Sequence, residues 1–486
     1  MSSKLRIVQE SSSVSPVAPK SGDSVSREFL GNVSVVNLGC AKNQVDSEVM
    51  LGSLQAAGFH LIDDPNEADI AVVNTCGFLQ PAVEEGIDTI LDLSELKGNR
   101  LRKLIVVGCM VERYGEDLKE SLPEVDHFLG GNDLLKIIEA VKTGYDSPLL
   151  DGARPYFIYD DTVPRMVGAG SVSAYVKIAE GCDRPCAFCI IPKLRGDFRS
   201  RPTASIITEI NDLARQGIQE VNLVAQDLTA YGADRKDSGE DMLSLLRAID
   251  SQAEIPWVRL FYAYPLGVSK ELMLVIKESE RVVNYLDIPL QHASERILKF
   301  MKRPLGKYSP RNLTEMMRTV APEVALRTTF IVGHPGETEN DVEELANLLR
   351  EIQFEHVGIF EYSREEGTPS HDLPDQVSEE EKKNRRSYLM EVQQEIQEEK
   401  LSKRLGLGGV RGETEKVLLL GTHPESDMLL HARAAWQGPE VDGEVIINDL
   451  DESLAEAEIS AGMFGEVEYT EVAGYDLVGR LQRISG

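Results

Sequence analysis

The sequence predicts an α/β protein in three folded parts: an N-terminal doubly wound parallel α/β domain, a central partial (β/α)6 barrel and a small C-terminal β-barrel. Short apolar runs alternate with amphipathic segments from residue 33 to about residue 405, which is typical of parallel sheets with helical crossovers. Beyond that point, closely spaced short strands replace the alternation. At 486 residues the chain is too long for one hydrophobic core, so we expect several domains.

In the N-terminal part, three apolar runs each lead to a cysteine. The run VSVVNLG precedes Cys40, IAVVNT precedes Cys76 and LIVVG precedes Cys109. The cysteines are 36 and 33 residues apart, close to the length of one βαβ unit. Each therefore falls at the carboxyl end of its strand, the edge at which open α/β sheets bind ligands. These three residues, the strand-end trio, could converge on one site; the alternative is that they pack as small buried hydrophobes.

The other three cysteines lie in one short segment, GCDRPCAFCIIP, at residues 181–192. Cys182, Cys186 and Cys189, the loop trio, complete the six cysteines of the chain as two groups of three. A disulfide framework would favour pairs and an extracellular setting. Three thiolates on one loop can instead hold three irons of a [4Fe–4S] cluster and leave the fourth iron open to a small molecule. A zinc loop without its fourth ligand is the alternative.

The loop trio follows the first of six predicted strands in the central part. The strands are expected at 174–179, 220–225, 257–262, 285–290, 326–333 and 356–362. Amphipathic helical segments separate them, and six such units predict a partial barrel with its chemistry at the carboxyl ends of the strands. The basic run Lys299, Lys302, Arg303 and Lys307 is interpreted as solvated surface.

The loop trio has the pattern C-x3-C-x-(aromatic)-C, with Phe188 as the aromatic residue, and it resembles the radical S-adenosylmethionine (SAM) superfamily. The resemblance implies that the open iron binds SAM. Candidate SAM contacts near the strand ends are Phe188, Gln226, Gln291, Gly333, Gly336 and Glu337. A turn or helix cap is the alternative interpretation of each polar residue at a strand end.

With both trios present, the chain resembles the methylthiotransferases, a branch of that superfamily. The matching segments are LGCAKNQVDSE, NTCGF, VVGCM, EGCDRPCAFCIIPKLRG, LDIPLQHAS, IVGHPGET and FEYSREEGTP. GCAKNQVDSE is similar to the enzymes that modify a ribosomal protein, although Ala41 stands where they commonly have proline. The resemblance implies a radical SAM enzyme that methylthiolates the β-carbon of an aspartate in small-subunit ribosomal protein twelve. It further implies two SAM molecules, a sulfur donor, and two [4Fe–4S] clusters: an auxiliary one on Cys40, Cys76 and Cys109, and a SAM-binding one on Cys182, Cys186 and Cys189.

The C-terminal part, which the resemblance identifies as a TRAM domain, carries a strong negative charge. Residues 414–486 contain 4 Lys and Arg against 15 Asp and Glu. A barrel that binds nucleic acid is expected to be basic with stacking aromatics, so this one suits a basic ribosomal protein better than RNA. Two alternatives remain: a methylthiotransferase acting on transfer-RNA adenosine, and a non-catalytic iron–sulfur adaptor that docks basic ribosomal proteins.

Charge and domain boundaries complete the expectations. The net charge of −30 repels phosphate backbones, although a solvated acidic surface would explain it equally well. We expect a disordered leader at 1–32, the N-terminal domain at 33–146 and a linker at 147–170. The partial barrel with its connecting helix, itself at about 378–405, is expected at 171–405, and the C-terminal barrel at 413–484. No apolar run approaches 18 residues and the leader lacks the apolar core of a signal peptide, so a cytoplasmic enzyme without membrane partners is predicted.

Overall fold

The computed structural model describes residues 30–148, 157–405, 414–454 and 456–485. They divide into two compact units. The first unit contains the chain up to Ser171 together with Glu180–Cys182 and Ile190–Arg199. The second contains Val172–Ala179, Asp183–Cys189 and the chain from Ser200 onward. The leader predicted over residues 1–32 lies outside the described residues as far as residue 29, as do residues 149–156 of the predicted linker.

The first unit is an alternation of strands and helices, as the sequence predicts. In chain order the elements are β1 (Asn32–Asn37), α1 (Ala41–Ala56), β2 (His60–Leu61), β3 (Ile70–Thr75), α2 (Gln80–Ser94), β4 (Lys103–Gly108), α3 (Cys109–Ser121), β5 (His127–Leu129) and α4 (Ile137–Thr143). All five strands are parallel, in the order β2-β1-β3-β4-β5. The order reverses at β1, which is the arrangement of a doubly wound sheet and confirms that prediction.

Helices cover both faces of this sheet. On one face Met50 and Leu54 of α1 pack with Ile137 of α4, and on the other Ile90 of α2 packs near Met110 of α3. All six residues of β3 are buried, because a central parallel strand has no solvent-facing side. The carboxyl ends of the strands are consequently the edge at which this sheet can present side chains to a ligand.

The second unit begins with a second set of parallel strands. In chain order from Ser173, the elements are β6 (Ser173–Lys177), β7 (Ala179–Glu180), α5 (Ile191–Arg195), β8 (Arg199–Ser200), α6 (Thr203–Arg215), β9 (Glu220–Val224), α7 (Met242–Gln252), β10 (Trp257–Leu260), α8 (Lys270–Glu278), β11 (Val282–Asp287), α9 (Glu295–Phe300), α10 (Pro310–Val320), β12 (Ala325–Val332), α11 (Glu339–Ile352), β13 (His356–Glu361) and α12 (Glu379–Arg404). Of these, α5 belongs to the first unit. The six-stranded sheet runs β13-β12-β11-β10-β9-β6, with β6 and β13 as its edges, which confirms the partial barrel. A separate two-stranded sheet joins β7 and β8.

The fourth barrel strand differs from its predicted position. It was expected at 285–290 and is found at Val282–Asp287, three residues earlier. The apolar residues after Asp287 include Pro289, which has no amide hydrogen to donate to a neighbouring strand. The Ile288 amide still donates to the Arg327 carbonyl at 2.8 Å; after Pro289, backbone pairing resumes at Gln291, whose amide donates to the Thr329 carbonyl and whose carbonyl accepts from Ile331. Gln291 adopts a φ of 77° to do so.

Helix α12 matches its prediction closely, since the helix was expected from residue 378 to residue 405. The Ser378 hydroxyl accepts a hydrogen bond from the amide of Glu381 and so caps the amino end. The first turn is acidic and the last turn contains Lys403 and Arg404, an arrangement that complements the helix dipole.

The C-terminal part is a closed five-stranded barrel. Its strands are β14 (Thr414–His423), β15 (Ser426–Ala434), β16 (Val445–Leu450), β17 (Phe464–Ala473) and β18 (Asp476–Ser485). The order is β14-β15-β16-β18-β17, and all pairs are antiparallel except β16 with β18. The prediction of a small C-terminal β-barrel is therefore confirmed.

A buried ion-pair cluster joins this small barrel to the amino ends of the larger one. Glu220, the first residue of β9, pairs with Arg259 of β10 at 2.8 Å and with Arg433 of β15. Burial alone would raise the pKa of Glu220, but the two guanidinium groups lower it to about 2. The carboxylate is therefore ionised at neutral pH and fully paired.

Aromatic contacts at the same edge strengthen the junction. The Tyr285 hydroxyl of β11 donates to Asp442 at 2.8 Å. His356, the first residue of β13, stacks on Trp436 with ring centroids 5.6 Å apart, and its Nε2 lies 2.7 Å from the Trp436 carbonyl oxygen. The small barrel is thus attached at the end of the strands opposite to the one where the loop trio begins.

Candidate functional site

The strand-end trio occupies equivalent positions in three neighbouring strands. Cys40 lies three residues beyond β1 at the amino end of α1, Cys76 directly follows β3, and Cys109 directly follows β4. Because β1, β3 and β4 are adjacent and parallel, the three cysteines share one edge of the sheet. This is the placement that the sequence predicts.

Two glycines show how closely the three chain segments approach. A Cβ on Gly39, whose φ is +123°, would lie 3.1 Å from the Cβ of Cys76. A Cβ on Gly77 would lie 2.5 Å from the carbonyl oxygen of Cys109. A side chain at Gly77 would therefore push the segments apart, because nonbonded carbon and oxygen cannot approach to that distance. Glycine beside the cysteine thus allows the chain segments that carry the three cysteines to approach one another closely.

The surroundings of Cys76 and Cys109 favour the protonated thiol over the thiolate by raising the pKa of both. Burial raises the pKa of Cys76, and the neighbouring Cys40 raises it further. Burial also raises the pKa of Cys109 to about 12, against the opposing effect of Arg195. Since metals bind the thiolate, iron binding at these residues has to displace protons.

Arg195, the last residue of α5, is the main charged neighbour of this trio. Its Nε donates to the Cys109 sulfur at 3.1 Å, its Nη1 to Asp46 at 2.8 Å and its Nη2 to the Asn43 side-chain oxygen at 2.6 Å. Sequence reasoning did not single out Arg195, because 86 residues separate it from Cys109 and no spacing rule connects them. Arg195 is at the end of α5, shortly after the loop trio in the sequence, and that position does not indicate a role at Cys109.

The loop trio is more accessible than Cys109. Cys182 is buried and its amide donates to the Gly196 carbonyl at 3.1 Å. Cys186 and Cys189 are half-buried, and the Cys189 amide donates to the Cys186 carbonyl at 3.2 Å. Phe188, predicted as the aromatic residue beside a cluster, is half-buried between them.

An arginine also donates to one sulfur in this trio. Arg303 Nη1 lies 3.5 Å from the Cys186 sulfur, and its Nη2 donates to the Pro289 carbonyl at 2.5 Å. The Tyr264 ring lies between two guanidinium groups, 4.3 Å from Arg303 and 4.4 Å from Arg184. Arg184 in turn donates to Asp227 at 2.6 Å. Burial raises the pKa of Tyr264, and the nearby Cys186 raises it further, so the phenol stays neutral.

The interpretation of the basic run 299–307 as solvated surface is wrong for one of its four residues. Lys299, Lys302 and Lys307 are exposed as expected, but Arg303 is only 8% exposed. Its side chain turns inward to Tyr264 and Cys186, and the tyrosine ring and the Pro289 carbonyl stabilise the buried cation.

The remaining predicted SAM contacts lie near the carboxyl ends of the barrel strands, and several have structural partners. Glu337 is buried; its Oε1 accepts from the Gly333 amide at 2.9 Å and from Arg385 at 2.8 Å, and its Oε2 is 3.2 Å from His292. A Cβ on Gly333 would collide with Lys382 at 2.3 Å, so this glycine makes room for a side chain of α12. Glu337 and Gly333 thus shape the strand ends, and a contact of either with SAM stays a prediction.

Two further predicted contacts can be placed. Gln226 is half-buried, two residues beyond β9 and next to Asp227, which receives Arg184. Gly336 has a φ of +80°, and a Cβ there would meet only the Phe300 ring and the Arg296 guanidinium at distances of ordinary contact. The roles of these residues toward SAM also stay predictions.

The residues of both trios fit iron–sulfur ligation. All six cysteines are free thiols. A [4Fe–4S] cluster takes one thiolate on each of three irons, so its ligands need not crowd around a single ion. In keeping with this, no three His, Cys, Asp or Glu side chains in the described ranges are arranged to hold one metal ion. Each trio also has a guanidinium N–H directed at one sulfur, a contact that stabilises anionic sulfur.

The partial (β/α)6 barrel, with a C-x3-C-x2-C loop after its first strand, defines the class of the protein: it is a radical SAM enzyme. Residues 176–349 match the radical SAM superfamily. Residues 32–130 match a family described as uncharacterized protein family UPF0004, and residues 412–481 match the TRAM domain. Over nearly its full length, the chain belongs to the ribosomal protein uS12 methylthiotransferase family, which confirms the resemblance seen in the sequence.

That membership rests on relatives of similar length. The chain is 43% identical over 466 residues to the ribosomal protein uS12 methylthiotransferase RimO of Syntrophotalea carbinolica, covering 95% of this chain and 98% of the relative. It is 45% identical over 447 residues to the RimO of Anaeromyxobacter sp. strain K, covering 91% and 92%. Among solved structures, the radical SAM methyltransferase TsrM from Kitasatospora setae, with cobalamin and a [4Fe–4S] cluster bound, aligns with a TM-score of 0.52. At 16% identity, covering 71% of this chain and 77% of TsrM, that likeness shows the fold alone.

Within the described part of the chain, none of the helices has the length and apolar character needed to cross a membrane.

Proposed function

We propose that this enzyme attaches a methylthio group to the β-carbon of an aspartate in ribosomal protein uS12, in the cytoplasm, with SAM and two [4Fe–4S] clusters as cofactors. The observation that carries the proposal is the pairing of two cysteine trios, each at the carboxyl end of parallel strands, in a chain 43% identical to a uS12 methylthiotransferase over 466 residues. One trio accounts for radical generation and the other for sulfur transfer.

The chemistry requires a radical because the target carbon is poorly acidic. A C–H bond beside an ionised carboxylate resists removal of a proton by an ordinary general base. A reduced [4Fe–4S] cluster, if bound, would supply the one-electron chemistry by which SAM yields a radical able to abstract hydrogen. Cys182, Cys186 and Cys189 are the proposed ligands of that cluster.

The residues around Cys186 support this assignment through their charge. Arg303 and Arg184 flank the Tyr264 ring, and Arg303 places its cation 3.5 Å from the Cys186 sulfur. Because Arg184 already pairs with Asp227, Arg303 is the guanidinium that suits a bound carboxylate such as that of SAM. The buried Tyr264 ring keeps water from one side of this sulfur, while its raised pKa keeps the phenol from competing as an anion.

Cys40, Cys76 and Cys109 are the proposed ligands of the auxiliary cluster, whose open iron would hold the sulfur that is transferred. The convergence of their chain segments at one sheet edge supports a single centre. Accessibility differs within the trio: Cys109 is buried beside Arg195, Cys76 is half-buried and Cys40 is exposed, so the centre would be open to a sulfur donor on the Cys40 side.

The surface of the C-terminal barrel supports a basic protein as the partner. Exposed carboxylates are distributed around it, at Glu425, Asp427, Asp449, Glu452, Glu456, Glu458 and Glu471. Tyr475 is an exposed aromatic residue on this barrel, but a single ring offers a poor platform for stacked bases. Negative charge repels RNA and attracts cationic proteins, of which ribosomal proteins are typical.

The test is a competition between substrates. The anaerobically reconstituted enzyme receives SAM, a reductant and sulfide, with uS12 and bulk transfer RNA in the same tube. Mass spectrometry of both is expected to show a methylthio gain on an aspartate of uS12, and none with the Cys182→Ala/Cys186→Ala/Cys189→Ala variant. A methylthio gain on transfer-RNA adenosine instead would overturn the assignment of uS12 as the substrate, while the proposed radical chemistry would stand. Absence of SAM cleavage under reducing conditions would overturn the enzyme assignment in favour of an adaptor.

A further inference from the structure

Arg195 is a buried cation with every side-chain nitrogen engaged. Only 5% of the residue is exposed. Nε donates to the Cys109 sulfur, Nη2 to Asn43, and Nη1 to Asp46, with Glu180 also 3.4 Å from Nη1. The carboxylates of Asp46 and Glu180 offset the cost of burying this charge, and an arginine guanidinium stays protonated in proteins. The guanidinium is therefore a permanent positive charge in direct contact with one sulfur.

The partners of Arg195 also connect it to the other two cysteine segments. Asn43, which receives Nη2, donates its own amide to the carbonyl of Leu38 at 3.0 Å and to the carbonyl of Thr75 at 3.1 Å. Leu38 lies two residues before Cys40, and Thr75 directly precedes Cys76. One side chain thus contacts Cys109 directly and is one hydrogen bond removed from the segments that carry Cys40 and Cys76.

Burying such a group is expensive, which argues that its position matters. Desolvating a guanidinium costs several kcal/mol, and an apolar side chain of similar volume is often as stable or more so. Helix packing alone would be satisfied by leucine or methionine at this position, since Ile190 and Leu194 already pack against Cys109. The arginine, in contrast, delivers a charged N–H to a sulfur.

We infer that Arg195 is a positioning residue of the auxiliary centre, which holds the Cys109 sulfur as an anionic iron ligand and raises the reduction potential of the cluster bound there. Hydrogen bonds to cluster sulfurs and the local net charge are two of the properties that set such potentials. A cationic donor stabilises the more electron-rich reduced state, so its loss shifts the potential downward. This inference rests on the proposed function in one respect, namely that the strand-end trio binds a cluster.

The carboxylate of Asp46 gives the inference a second and opposite prediction. Asp46 is buried and pairs with Arg195, so it offsets the positive charge near the cluster. Removing the carboxylate leaves Glu180 as the remaining carboxylate partner of the guanidinium, so the net positive charge near the cluster rises and the potential shifts upward. Removing both charges restores the original net charge but leaves Cys109 without its charged donor.

The experiment measures the auxiliary cluster alone in the full-length chain. Cys182→Ala/Cys186→Ala/Cys189→Ala serves as the parent, and Arg195→Gln, Asp46→Asn and the double variant are made in it. After anaerobic reconstitution, iron content is determined and the cluster is titrated with reductant while its reduced state is followed by electron paramagnetic resonance. Arg195→Gln is expected to weaken one-electron reduction about tenfold, which corresponds to about 59 mV more negative. Asp46→Asn is expected to shift the potential in the opposite direction, with the double variant between the two.

The outcomes separate this inference from the proposed function. A parent that binds no iron overturns the assignment of the strand-end trio, and the inference with it. A parent with about four irons, whose potential is unchanged in both single variants or moves in the same direction in both, overturns the role of Arg195 alone. If the Arg195→Gln variant does not retain iron, the Arg195→Lys and Asp46→Asn variants are measured instead. Arg195→Lys keeps the positive charge and is expected to restore iron binding. Failure of the lysine variant to do so, together with an unshifted Asp46→Asn, overturns the inference.

Discussion

Both trios have an arginine that donates to one sulfur, but the two arginines are enclosed in different ways. Arg195 uses all of its nitrogens on Cys109, Asp46, Asn43 and Glu180, and carboxylates balance its charge. Arg303 donates to Cys186 and to the Pro289 carbonyl, and its Nε finds no hydrogen-bond partner among the described residues. Every side-chain nitrogen of Arg195 thus has a partner, which we call a closed network. Arg303 has one nitrogen without a partner, which we call an open network.

The difference corresponds to what each site would hold. A buried guanidinium nitrogen without a partner is costly unless a ligand completes it, and an anion is the ligand that would do so. The unpartnered nitrogen of Arg303 therefore agrees with the proposal of a SAM site at the loop trio, because SAM carries a carboxylate that could accept from it. The strand-end trio has its charges paired internally, which suits a resident cluster.

Cysteine replacement tests the division between the trios most strongly. Cys186→Ala is expected to abolish both SAM cleavage and methylthio transfer, because the radical source is lost. Cys76→Ala is expected to abolish methylthio transfer while SAM cleavage continues. Chromatography of 5′-deoxyadenosine and mass spectrometry of uS12 measure the two activities separately. If Cys76→Ala also stops SAM cleavage with the loop cluster intact by iron content and spectrum, the division of labour is wrong.

Glu220→Gln tests whether the two ends of the barrel strands serve different purposes. It leaves Arg259 and Arg433 buried without their carboxylate, so we expect the free energy of unfolding to fall by about 3 to 5 kcal/mol. Guanidinium chloride unfolding measures the loss. The exposed Glu278→Gln on α8 is the matched control, with an expected effect within about 0.5 kcal/mol. A loss of cluster spectrum in folded Glu220→Gln protein would contradict the separation of scaffold from chemistry.

His334 tests whether ionisable groups near the carboxyl ends of the strands are scaffold or ligands. Burial lowers its pKa to about 4 from an ordinary value near 6.5, and its Nε2 is 2.9 Å from the Ser370 hydroxyl. The unfolded chain therefore binds the proton more tightly, so the stability contributed by neutral His334 is present above pH 6.5 and is lost as the pH falls toward 4. Between pH 7 and pH 5 the loss is about 2 kcal/mol.

His334→Gln is expected to reduce that acid sensitivity, which denaturant melts at the two pH values measure. An equal acid-induced loss in the wild-type and the variant chains would show that His334 does not carry it.

Replacing Arg303 tests the open network around the loop trio, and we expect it to have the smallest effect of the variants described. Arg303→Met removes one of two cations beside Tyr264, and we expect SAM to bind about tenfold more weakly, or about 1.4 kcal/mol. Calorimetry on the reconstituted enzyme measures the affinity. Lys299→Met removes an exposed charge from the same segment and is expected to leave it unchanged. Equal weakening by the two variants would mean that long-range charge, and not the contact of Arg303, is responsible.

The sequence was sufficient to predict the fold and the placement of the site wherever a pattern repeats along the chain. The spacing of Cys40, Cys76 and Cys109 predicts their common sheet edge because each βαβ unit has a nearly constant length. Helix α12 was delimited by Ser378 and by charged turns, which act locally. Arg195 and Arg303 could not be found in this way, since their importance depends on burial beside a sulfur 86 and 117 residues away. The shifted β11 shows a third limit, because Ile288 and Leu290 look like strand residues although Pro289 interrupts the ladder.

The attachment of the C-terminal barrel to Glu220 and His356 has a consequence for any partner it binds. Those residues start their strands, whereas the cysteine loop follows the opposite end of β6. The strands are four to eight residues long, so the two ends lie roughly 13 to 26 Å apart. For a partner held on the C-terminal barrel, the contact surface and the cysteine loop are thus separated by about the length of the barrel strands.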